Sequence, residues 1–182
     1  MELPKRKKIR LKGYDYSQNG AYFITVCVKD GYEMLGKVAV GRAAPGIQLS
    51  EYGMIVHKEI EETPLYYQGV MIDKFVVMPN HIHMIVAINR ENGAPGATCI
   101  ENGAPRAMCI DNGAPRATRP TVSTVITALK KKVNKMIGFS IWQTSYHDHI
   151  IRSEREYQKI WEYIDMNPLK WDEDSFYSGP VK

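Results

Sequence analysis

His81 and His83 are the two residues of this chain best placed to do chemistry. Ile82 separates them within the run Phe75-Val-Val-Met-Pro-Asn-His-Ile-His-Met-Ile-Val86. On an extended segment, side chains two residues apart project from the same face. Both imidazoles can therefore converge on one divalent cation. The apolar neighbours predict that this strand is buried in a sheet, where two polar side chains need partners. Spacing alone leaves two readings open: a metal pair, or two core histidines satisfied by backbone carbonyls.

Other histidine chemistries fit less well. A histidine triad would need a third histidine at the position of Ile85, and the two-histidine phosphoesterase pattern, His-x-Thr or His-x-Ser twice, is absent. A closed zinc site takes four ligands, and Cys27, Cys99 and Cys109 are badly spaced for one. An open site with two histidines and a third polar ligand remains, suited to Mg²⁺ or Mn²⁺ acting on a phosphate. A second pair, His147-Asp148-His149, follows Trp142-Gln-Thr-Ser-Tyr146 and lies in a segment read as irregular. For His149 and Arg152 the expectation is packing or a phosphate contact.

The elements that must position these groups read as follows. Strands are predicted at 21–28, 70–78 and 82–88, with a turn at Pro79-Asn80, and a short excursion at 37–40 and 46–49. Ser50 caps a helix predicted to run to about Glu62, with Ile55 and Ile60 inward and Thr63-Pro64 as its stop. A second helix spans 121–137, residues 141–143 form a short strand, and a last helix spans 154–166 before Asn167-Pro168. On that helix Tyr157, Ile160, Trp161 and Ile164 make the core stripe. Tyr163 falls on its flank, and Asn167 lies one turn further along the same face. This order of elements predicts an α+β fold, an antiparallel ferredoxin-like sheet with helices packed on it. Residues 91–120 hold three copies of a ten-residue unit built on Asn-Gly-Ala-Pro. They read as a flexible loop inserted in a single domain spanning 1–182.

Composition narrows the class. With 182 residues, 44% hydrophobic and 24% charged, the chain is an ordinary globular domain. Three cysteines without a Cys-x-x-Cys pair fit a reducing compartment. Neither a membrane span nor an apolar segment after the basic N-terminus is evident, so the expected location is cytoplasmic. Lys5, Arg6, Lys7, Lys8 and Arg10 crowd the N-terminus, and Lys130, Lys131 and Lys132 sit in a segment without acids. Such clusters suit a polyanion.

Three stretches together resemble the REP-associated branch of the single-tyrosine HUH transposases, relatives of the IS200-like transposases. They are Arg10-Leu-Lys-Gly-Tyr-Asp-Tyr-Ser-Gln-Asn-Gly-Ala-Tyr-Phe23, Phe75 to Val86, and Trp142 to Trp171 with Glu162-Tyr-Ile-Asp-Met-Asn-Pro-Leu-Lys170. The resemblance implies that His81 and His83 bind Mg²⁺ or Mn²⁺, that Tyr163 is the nucleophile, and that Asn167 stands where relatives place a glutamine ligand. Thr144 stands where many relatives carry a basic residue. The implied activity is nicking and rejoining of single-stranded DNA near REP-like hairpins through a 5′-phosphotyrosine. Lys5, Arg6, Lys7, Lys8, Arg10, Lys130, Lys131, Lys132 and Arg152 would grip the DNA, and the protein would act as a monomer or homodimer. Two rival readings are a domesticated, inactive DNA- or RNA-binding protein and a nuclease that uses water in place of Tyr163.

Overall fold

The structure is a computed structural model that describes residues 14–39, 46–89, 98–101, 104–107 and 120–177. Its centre is a four-stranded antiparallel sheet in the order β4-β5-β1-β8. These strands are β1 (Gly20–Cys27), β4 (Val70–Val77), β5 (His81–Ile88) and β8 (His147–Ile151). Between β1 and β4 come the hairpin β2 (Gly36–Ala39) and β3 (Gly46–Leu49), then helix α1 (Glu51–Tyr66). Helix α2 (Val122–Ile137) joins β5 to β8, and α3 (Glu154–Met166) follows. This is the ferredoxin-like βαββαβ weave that the sequence predicts.

The pleat assigns each face a task. Tyr22, Ile24 and Val26 of β1 and Ile82, Met84 and Val86 of β5 are buried against Val56, Ile60, Val125, Ile126, Leu129 and Val133 of α1 and α2. The alternate residues form the other face, where Thr25 lies opposite His83 and Cys27 opposite His81. Covered on both sides, β5 is buried almost throughout. Side-chain caps define all three helix starts: Ser50 accepts from Gly53 N, Thr121 from Thr124 N and Ser153 from Glu156 N. No described helix is long and apolar enough to cross a membrane.

Two expectations need correction. α1 continues through Pro64 to Tyr66 instead of stopping at Thr63. Proline removes one amide donor, while the Thr63 hydroxyl donates to Glu59 O at 2.8 Å and supplies a bond in the same turn. The strand before α3 is His147–Ile151, the segment read as irregular, whereas Trp142 makes only an isolated bridge to Val28. Residues 91–120 lie mostly outside the described residues, but Thr98–Glu101 (β6) and Ala104–Ala107 (β7) pair as a short hairpin.

Gly53 shows how tightly α1 approaches the β2 segment: a Cβ there would lie 1.9 Å from Leu35 O. Gly53→Ala is therefore expected to destabilise the fold by about 2 kcal/mol or more, because backbone must move. Urea unfolding of the variant beside the parent measures this.

Candidate metal and tyrosine site

One neighbour fixes the state of His81. Its Nδ1 lies 2.8 Å from Asn80 Oδ1. The Asn80 amide nitrogen donates to Gly31 O (3.2 Å) and Phe176 O (2.8 Å), which turns the amide oxygen toward the imidazole. Nδ1 must then carry the proton, and Nε2 of the neutral ring presents a lone pair. His83 Nδ1 lies 2.8 Å from Thr25 Oγ1, a group able to donate or accept. The two Nε2 atoms face each other at 2.9 Å. With the Thr25 hydroxyl accepting, both lone pairs point to one place, the donor arrangement a divalent cation requires.

Both rings are buried, 0% and 1% exposed. Burial pushes His81 down to about 4, with the Asp174 carboxylate opposing that shift. Burial and then the neighbouring His81 hold His83 well below the ordinary histidine range. Neutral imidazoles are the ligating form. This has a consequence for acid stability. Between about pH 6.5 and the depressed folded value, the unfolded chain binds protons that the folded chain refuses, so stability falls as the pH is lowered through that window. The loss expected from His81 is about 3 kcal/mol, starting near pH 6.5 and levelling off near pH 4. Urea unfolding at pH 7.5 and pH 4, repeated on His81→Asn, tests it: the variant should show the shallower dependence.

α3 brings Tyr163 to this pair. The Tyr163 hydroxyl lies 3.2 Å from His83 Nε2 and donates to Asp174 Oδ2 at 3.3 Å, while the residue stays 42% exposed. Its ring meets His83 and Phe23 at centroid distances of 5.2 and 6.0 Å. Burial, then the Asp174 charge and hydrogen bond, push the phenol up to about 12, against a lowering by Asn167. Asn167 is buried at the end of α3 and donates from Nδ2 to Asp174 Oδ2 at 2.7 Å. Its Oδ1 is buried without a hydrogen-bond partner among the described residues.

Asp174 is a candidate ligand that sequence reasoning missed. A 3₁₀ segment, Asn167–Glu173, folds the chain back over the sheet and delivers it. Ligand atoms of His81, His83 and Asp174 all lie within 4.8 Å of one another. Phe176 N donates to Asp174 Oδ1 at 2.7 Å, and the Phe176 ring packs 4.7 Å from His81. In sequence Asp174 is one acid in Trp171-Asp-Glu-Asp-Ser-Phe176, and no periodicity marks it.

The other predicted site residues are dispersed. α2 packs on the face opposite the histidines. There Lys132 pairs with Glu59 (2.7 Å) and Glu62 (3.4 Å), while Lys130 donates to Gln143 O and Thr144 O at 2.6 and 3.1 Å. Lys131 is exposed. Arg152 is exposed at the start of α3, and His149 pairs with Glu156 at 2.7 Å. Lys5, Arg6, Lys7, Lys8 and Arg10 lie outside the described residues.

The sheet that carries the buried His-x-His pair, with the tyrosine helix packed beside it, has a single-tyrosine transposase-like fold. Among solved structures the chain is similar to a REP-associated tyrosine transposase bound to a REP hairpin. The TM-score is 0.57 at 19% identity, covering 89% of this chain and 74% of that one. No family model matches the sequence. The chain is also 33% identical over 177 residues to an uncharacterised protein of Haemophilus influenzae strain Rd, covering 94% of this chain and 93% of that protein. The chain belongs to the same family as that protein.

Proposed function

We propose that this protein is a metal-dependent single-stranded DNA endonuclease and strand transferase that works through a covalent tyrosine–DNA intermediate on hairpin-forming DNA. The observation that carries this reading is the Tyr163 hydroxyl 3.2 Å from a buried imidazole pair whose ligating nitrogens converge. The nucleic-acid part draws support from the structural neighbour, which was solved bound to a REP hairpin.

The donor set fits a hard divalent cation, Mg²⁺ or Mn²⁺. His81 and His83 would hold it through Nε2, with the Asp174 carboxylate and the unpartnered Asn167 Oδ1 as oxygen donors. When bound, the cation would neutralise charge on the scissile phosphate. The chain supplies the remaining chemistry. The Tyr163 oxygen attacks phosphorus, and its proton passes to the Asp174 carboxylate, 3.3 Å away. The P–O3′ bond breaks, and the 3′-oxygen leaves and takes a proton from solvent. The new P–O bond is a 5′-phosphotyrosine, which a 3′-hydroxyl can attack to rejoin the strand.

Incubating the protein with end-labelled single-stranded hairpin DNA and Mn²⁺ or Mg²⁺, followed by denaturing electrophoresis, tests the reading. A covalently shifted band is expected. Binding without cleavage across a range of hairpins would favour an inactive binding protein instead. For the ligands, Asp174→Asn and Asn167→Ala are each expected to weaken Mn²⁺ binding about 10- to 100-fold by calorimetry. Unchanged affinity in Asp174→Asn would remove it from the ligand set.

A further inference from the structure

α3 carries the tyrosine, yet its only buried residue is Ile164, and Tyr157, Ile160 and Trp161 are half-buried. A helix held so lightly by apolar packing needs another constraint. One lies on β4, where the register slips between Ile72 and Lys74 and leaves Asp73 outside the ladder as a bulge. Both residues at the bulge reach α3. Asp73 Oδ2 accepts the Tyr157 hydroxyl at 3.0 Å. Lys74 pairs with Asp165, and its ammonium sits 4.9 Å from the centre of the Trp161 ring. The rings of Tyr157 and Trp161 are themselves in contact at 5.9 Å.

Residues 157, 161 and 165 follow one another at helical spacing and form a single stripe along α3. Ile164 points to the sheet, this stripe lies on one flank, and Tyr163 lies on the other. Rolling the helix about its axis therefore lifts the stripe from β4 as it swings the tyrosine across His83. A roll of about 10° moves a hydroxyl at the end of a tyrosine by about 1.5 Å, and a misplacement of about 1 Å can cost about 100-fold in rate.

We infer that Asp73 and Lys74, gripping Tyr157, Trp161 and Asp165, clamp the roll of α3 and so place the Tyr163 oxygen at the histidine pair. They are positioning residues, and this rests on the tyrosine-nucleophile reading above. The tyrosine stripe and the nucleophile occupy opposite flanks, so the clamp touches neither the cation ligands nor the open side of Tyr163.

Two measurements on the full chain test it. The first is the single-turnover rate of adduct formation at saturating hairpin DNA with Mn²⁺. The second is the ¹⁹F resonance of 3-fluorotyrosine placed at position 163, read without DNA. Tyr157→Phe and Lys74→Met are expected to slow adduct formation about 10- to 100-fold, leave the DNA Kd unchanged and move the resonance. Lys74→Arg, which keeps the ion pair and the ring contact, should retain both parent values. A role confined to stability would lower Tm while rate and resonance stay at parent values at low temperature, which overturns the inference. If the parent protein forms no adduct, the functional reading fails first. The resonance then decides the clamp alone: movement in Tyr157→Phe and Lys74→Met with the parent value kept in Lys74→Arg upholds it, and no movement ends it.

Discussion

Tyr163→Phe is expected to abolish the covalent protein–DNA band and to lower strand cleavage at least about 10⁴-fold, with Mn²⁺ binding and folding retained. The variant keeps the ring contacts to His83 and Phe23 and loses only the oxygen and its bonds to His83 and Asp174. Those bonds lie at a partly exposed position, so their loss should cost no more than about 1 kcal/mol in stability. The rate carries a second signature. Burial and Asp174 hold the phenol up at about 12 in the free protein. The phenolate is thus scarce at neutral pH, and adduct formation should rise with pH while the proton remains to be lost. Cleavage that survives in Tyr163→Phe without an adduct would identify a water nuclease. Loss of DNA binding together with cleavage would mean that the tyrosine grips substrate rather than attacks it.

How much of this site was legible depended on how local its causes are. The histidine strand could be read because its facing residues alternate within one short run. α3 could be placed at its observed bounds because the apolar stripe and Asn167-Pro168 act within a few residues. The flank position of Tyr163 followed from the same wheel. β8 was missed because Asp148 takes an inward position beside Ile150, opposite His147 and His149, so this edge strand lacks an apolar alternation. Asp174 reaches the site only after a 3₁₀ segment reverses the chain, and the Asp73 bulge exists only through pairing with β5. Both causes are tertiary. The stripe of α3 was read as core, but it divides into a buried Ile164 and a flank held by charge and aromatic contact. The lysine run illustrates a further limit. Successive residues on a helix point about 100° apart, so three consecutive lysines cannot share one face, and the sequence does not say which of them turns inward.

Lys132 turns to a buried carboxylate, and its removal is expected to act on stability. Its ammonium lies 2.7 Å from Glu59 Oε2 and 3.4 Å from Glu62 Oε2, donates to the Tyr66 hydroxyl and rests 4.0 Å from the centre of that ring. Glu59 is 2% exposed between α1 and α2. Lys132→Ala leaves that carboxylate buried without its cation, a loss of about 3–5 kcal/mol in well-buried pairs. Lys132 is itself partly exposed, so the lower end, about 3 kcal/mol, applies. For a chain of this size that is about 6–12 °C in Tm. Replacing both partners with apolar side chains, Glu59→Leu with Lys132→Met, should recover most of the loss, because no charge is left stranded. Lys131→Ala, by contrast, should leave Tm within about 1 °C. If that lysine meets a phosphate, its loss should lower the salt dependence of DNA binding by about one charge. Lys132→Ala should leave that slope alone. A Lys132→Ala protein that melts like the parent while its salt slope falls would show the ammonium to be free for DNA, and would take the Glu59 pair out of the account of how α1 and α2 are held together.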